Sequence, residues 1–178
     1  MKRSRSVKLP GKTRRLRNAL RVLDDELDIS KHEGLLRNLD RQISHSIRVV
    51  KCGDSIERFN CFMHGLDLIG LFGDQDPFTP FGRWYVDSKF VEYLVRERLL
   101  QKVRGPRKGL VAIYFDKEKV RHAGLVASGQ FIVSKWGCGN LYCHPTREVS
   151  ASYGNRIRYF EPLSYEQSKA FFERYRNL

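Results

Sequence analysis

Three residues have the types and spacing for nucleophilic chemistry. Cys61 follows Asn60 and opens the run Cys61-Phe62-Met63-His64-Gly65-Leu66-Asp67-Leu68-Ile69. Asn is a favoured N-cap residue, so the thiol falls at the start of a short, mostly buried helix over about 61–71, where free backbone N–H groups and the positive end of the macrodipole favour an anion. A thiolate in that place becomes a nucleophile once a base stands beside it. His122 opens the alternating stretch His122-Ala123-Gly124-Leu125-Val126-Ala127, and Ser134 follows twelve residues later across a Ser128-Gly129 turn. Residues 122 and 134 then lie near opposite ends of a short hairpin in sequence and close in space, so Ser134 can orient the imidazole. His144 is the rival for that third role, because it begins the segment after the next loop. The chemistry of such a set is acyl transfer through a thioester at Cys61.

Other readings of the same residues stand beside this one. A cysteine between Asn60 and Phe62 on an apolar helix is equally a small core side chain. His64, one turn after Cys61, reads as a structural donor. Cys138, Cys143 and His144 supply two or three ligands with no second ligand pair, so neither a metal nor a cofactor is expected. The stretch Ser134-Lys135-Trp136-Gly137-Cys138-Gly139-Asn140 offers Trp136 as an apolar wall and Gly137 as a place where a ligand backbone could approach, which with Asn60 would make a substrate groove.

The elements that must position these residues follow from periodicity. Leu16, Ala19, Leu20, Leu23 and Leu27 recur at helical spacing, and Ser30-Lys31-His32-Glu33 reads as a capping box opening a second helix with Leu35, Leu36, Leu39 and Ile43 on one side. Residues 73–80, with two prolines and three acidic or amide residues, form a loop, after which Ser88 caps a helix carrying Val91, Leu94, Val95 and Leu99. The period then changes to strands over 110–115, 122–127 and 130–134, a β-meander, with a further strand at 156–160. Ser164-Tyr165-Glu166-Gln167 is a second capping box that opens a closing helix. Helices first and antiparallel strands after them predict an α+β fold.

At this point the sequence resembles the papain-like cysteine hydrolases of the NlpC and CHAP type over about residues 55–161. In the NlpC-type family the helix-start cysteine lies in Asp-Cys-Ser-Gly, where this chain reads Asn60-Cys61-Phe62-Met63. The family histidine opens His-Val-Gly-Ile-Tyr, where this chain reads His122-Ala123-Gly124-Leu125-Val126. The third polar residue of the family, on the following strand, falls on Ser134. The resemblance implies a papain-like fold with N-terminal helices, a central Cys-bearing helix and an antiparallel sheet. It also implies hydrolysis of a peptide or other amide through an acyl-enzyme at Cys61, with His122 as base and Ser134, or His144, as the orienting group.

Composition bounds the rest. The 178 residues suffice for one domain with a proper core, and 41% hydrophobic with 30% charged residues is a globular balance. Nine basic and no acidic side chains lie within residues 1–21, while the other 157 residues hold 24 basic and 20 acidic ones. The net charge of +13 is therefore mostly that of the N-terminal segment. Residues 1–15 read as a basic flexible arm and 16–178 as a single domain. An arm of this kind binds polyanions such as nucleic acid non-specifically, which offers a second function class: a catalytically inactive binding protein that holds nucleic acid or an acidic partner. No aromatic residue interleaves the basic residues of 1–21, so sequence-specific recognition is not expected. Four cysteines without an apolar leader read as reduced thiols, and the expectation is a cytoplasmic protein without a membrane segment.

Overall fold

The computed structural model describes residues 9–50, 59–69, 86–137 and 139–178. The fold is α+β, as the order of periodicities predicts. Its frame is one antiparallel sheet of seven strands: β1 (Arg48–Val50), β2 (Lys102–Val103), β3 (Val111–Asp116), β4 (Lys119–Ser128), β5 (Phe131–Lys135), β6 (Leu141–Pro145) and β7 (Arg156–Phe160), in the spatial order β1-β6-β5-β4-β3-β7-β2. The expected meander is β3, β4 and β5. Alternation is too weak in the three- and two-residue edge strands β1 and β2 to announce them, and β6, which ends on Pro145, also lies outside the expected strands.

Strand alternation sends each strand's side chains to two cores. One face carries Val111, Ile113, Phe115, Val120, Ala123 and Phe160, and packs against α4 (Cys61–Gly65), α5 (Ser88–Arg96) and α6 (Tyr165–Arg176). Phe90 of α5 and Phe172 of α6 meet edge-on there, 5.1 Å between ring centres. The opposite face carries Ala112, Tyr114, Val126, Ile132, Trp136 and Tyr142, and packs against the leucines of α1 (Gly11–Ala19), α2 (Arg21–Asp25) and α3 (His32–Gln42). Burying apolar surface on both faces gives a short chain two cores from one sheet.

Several local expectations change in detail. The periodic run from Leu16 is broken after Ala19 and again after Asp25, where Glu26 turns extended, and Leu27 is 75% exposed, outside the core. Asp28, not Ser30, caps the next turn: it accepts from the Ser30 amide at 3.1 Å and from the Ser30 hydroxyl, so the Ser30–Glu33 box does not form. At α5 the cap is Asp87, one residue before Ser88, bonding the amides of Lys89 and Phe90. The box at Ser164 and Gln167 forms as read. Helix α1 begins at Gly11, so residues 11–15, read as arm, are helical, and Arg17 is a buried structural residue and not part of a solvated tail. Residues 1–8 of the arm, the loop over 73–80, Cys52 and Cys138 lie outside the described residues. Among the described residues no helix is long and apolar enough to cross a membrane.

Candidate functional site

Asn60 caps α4 as its residue type predicts. Its Oδ1 accepts from the amides of Phe62 and Met63, both at 2.9 Å, and its Nδ2 donates to the Val86 carbonyl at 2.7 Å. With every polar atom engaged and 9% of its surface exposed, Asn60 holds the start of α4 in place and is not a groove wall. The cap sets Cys61 on the first residue of the helix.

Where the thiol lies follows from the pairing of β4. The Val126 amide donates to the Leu110 carbonyl on the β3 side, at 2.9 Å, so by alternation the Ala123 and Leu125 amides face β5. The β4–β5 ladder runs from Ser128/Phe131 through Leu125/Val133, while β5 continues along β6 to Lys135/Leu141. Helix α4 packs on β4 beyond that pair, with Gly65 directly above the Ala123 methyl. Cys61 is free and half-buried there. Burial pushes its thiol up to about 11, against the amides of Ala123, Cys61 and Phe62 and the ammonium of Lys135, all of which favour the thiolate. The thiol is held protonated near neutral pH.

His122 stands next to Ala123 in β4, and a bulge decides its direction. The register passes from Tyr114/His122 to Phe115/Val120, leaving Arg121 as the extra residue, so Val120 and Ala123 share the α4 face while His122 points to the other. Its ring is 1% exposed, lies flat on Tyr153 at 4.0 Å and 7°, and meets Tyr114 at 5.5 Å. Among the described residues its Nε2 has no hydrogen-bond partner. Burial, followed by the proximity of His144 and His64, holds its pKa well below the usual imidazole value, so the ring is neutral. Among the described residues no hydrogen bond joins His122 to Cys61.

Ser134 and His144 share that second face, but they pair with each other. The His144 Nδ1 lies 2.9 Å from the Pro145 carbonyl and must donate to it, which leaves Nε2 as acceptor for the Ser134 hydroxyl at 2.9 Å. The Ser134 oxygen accepts in turn from Trp136 Nε1 at 3.0 Å. This closed chain leaves neither candidate third residue on His122. Trp136 is fully buried against Tyr142 and His144, so its indole is a core group where a groove wall was expected. Gly137 has φ of 51° and lies at the surface beside Asp24 and Tyr153. His64 fits its structural reading: half-buried, it faces the Val133 carbonyl, and its pKa is lowered by burial.

Sequence reasoning did not single out the residues that hold the His122 ring. Tyr153 ends a 3-10 turn (Ala151–Tyr153) and donates its hydroxyl to Asp24 Oδ1 of α2 at 2.6 Å. The other oxygen of that carboxylate receives Ser150 at 2.5 Å and Ser152 at 2.7 Å. The Ser150-Ala151-Ser152-Tyr153 run carried the signal, since three hydroxyls within four residues call for a shared acceptor.

No protein-family model, curated protein or solved structure matches this chain.

Proposed function

We propose that the chain is a cysteine hydrolase of papain-like layout, acting on an amide bond through an acyl-enzyme at Cys61. The observation that carries this reading is the convergence on one sulfur of the Ala123 and Cys61 amides and the Lys135 charge, at the end of the sheet where the next residue, His122, keeps a buried ring nitrogen without a partner among the described residues. Donors aimed at a sulfur also serve an oxyanion formed beside it. In this mechanism a neutral thiol and a neutral imidazole start the reaction. The mechanism requires the His122 ring to turn from its resting face toward α4; the thiol proton then passes to it as sulfur attacks the carbonyl, the amine leaves with that proton, and water releases the acid from the thioester. The test is intact-mass detection of an acyl adduct after exposure to activated peptide esters and amides. A Cys61 adduct that is absent in Cys61→Ala and much slower in His122→Ala supports the reading. Turnover unchanged in Cys61→Ala overturns it.

A second reading is favoured by the thiol near 11 and the enclosed, neutral His122: a binding protein of the same layout, whose basic N-terminal segment holds nucleic acid or an acidic partner. Unreactive Cys61 together with salt-sensitive binding of nucleic acid would select it.

A further inference from the structure

Arg17 is a buried charge far from the Cys61 region in sequence. It is 3% exposed, yet its guanidinium meets carbonyls only: one nitrogen, Nη2, donates to the Ser150 carbonyl at 3.3 Å and to the Gly154 carbonyl. Among the described residues its Nη1 has no partner and no carboxylate pairs with it. A buried cation without a counter-ion is costly, and the usual remedy is an anion. Burial and the nearby Arg147 lower its pKa, which expresses the same shortage of negative charge.

Arg17 is also part of the lining of an open cavity between α1 and the turn before β7. Arg14 and Asn18, four residues apart on one face of α1, stand on one side, and Asn155 on the other. Asp116 is the single carboxylate of the lining, and it lies 3.7 Å from Arg121.

We infer that this cavity is an oxyanion site, in which Arg14, Arg17, Asn18 and Asn155 take a phosphate group. Guanidinium donors match phosphate oxygens in number and geometry, and two arginines against one already paired carboxylate leave the cavity positive. The site does not depend on hydrolysis at Cys61. It does touch that region: the two carbonyls held by Arg17 bracket the turn that carries Tyr153, and Gly154 lies where any Cβ would collide with the Phe115 carbonyl, so the turn has little room to shift.

The experiment is thermal unfolding of the full chain with inorganic phosphate, against sodium chloride at equal ionic strength. Phosphate at about a hundred times its Kd should raise Tm by roughly 5–10 °C, with a hyperbolic dependence on concentration. The rise should vanish in Arg14→Ala, an exposed position that leaves the core intact, and in Arg17→Lys, and persist in Arg41→Ala on α3. A parallel titration with oligothymidylate separates the sources of the phosphate. An effect of inorganic phosphate marks a small free anion, and an effect of the oligonucleotide alone, lost in Arg14→Ala, marks a phosphodiester backbone. No rise beyond that of chloride with either probe, or a rise that survives in Arg14→Ala, overturns the assignment.

Discussion

The rings of His122 and Tyr153 are parallel within 7° and 4.0 Å apart, and the Tyr153 hydroxyl is tied to Asp24 on a helix more than a hundred residues away in sequence. The imidazole is therefore held by a stacked ring. Tyr153→Phe keeps the stack and loses the bond to a carboxylate, for an expected cost of about 2 kcal/mol, whereas Tyr153→Ala removes the ring and should cost about 3 kcal/mol or more. Urea denaturation of the two variants should place them in that order.

Acid should destabilise the fold through its buried imidazoles. Burial lowers the His144 pKa from 6.5 to about 4, and moves His122 and His64 in the same direction. Unfolded chains take up these protons near pH 6.5 while the folded state refuses them, so the stability is present above that pH and is lost as pH falls towards 4. For His144 alone the loss is on the order of 3 kcal/mol. Denaturation midpoints measured from pH 7 to 4.5 should fall steadily, and His144→Gln should flatten the slope. A flat profile in the wild type would show these rings to be solvated.

Helix-start placement alone predicts that Cys61 is the fastest of the four cysteines to alkylate near neutral pH. With the thiol pushed up to about 11, its labelling by iodoacetamide should instead be slow at pH 7 and climb about tenfold per pH unit through the alkaline range. Mass spectrometry of tryptic peptides reads this directly. An inflection near pH 7 would mean that Cys61 and His122 share an ion pair in the resting protein.

Asn60 carries three hydrogen bonds, two accepted and one donated. Asn60→Ala should cost about 2 kcal/mol or more, because it leaves two helix amides and the Val86 carbonyl unpaired in a buried place. Asn60→Asp keeps the cap and loses only the donor to Val86, so it should fall between. Equal stability of all three proteins would mean that water takes over the cap.

What the sequence determined by itself is local. The Asn60 cap and the Ser164–Gln167 box rest on contacts within a few residues, and the strands of the meander and of 156–160 show in the alternation of residue types, both of which the chain encodes directly. Order of elements sufficed for the α+β class. Tertiary structure decided the site, because facing depends on register. One extra residue, Arg121, turns His122 away from the α4 face, and α4 places Cys61 beside Ala123, beyond the last β4–β5 pair. Ser134 and His144 were both rivals for His122 until β5 and β6 were set side by side, where the closer partner of each is the other. Tyr153 and Asp24 come together only when the α1–α3 layer closes on the sheet, and no periodicity within either segment carries that distance. A side chain's type is written in the chain, but its partner is chosen by packing.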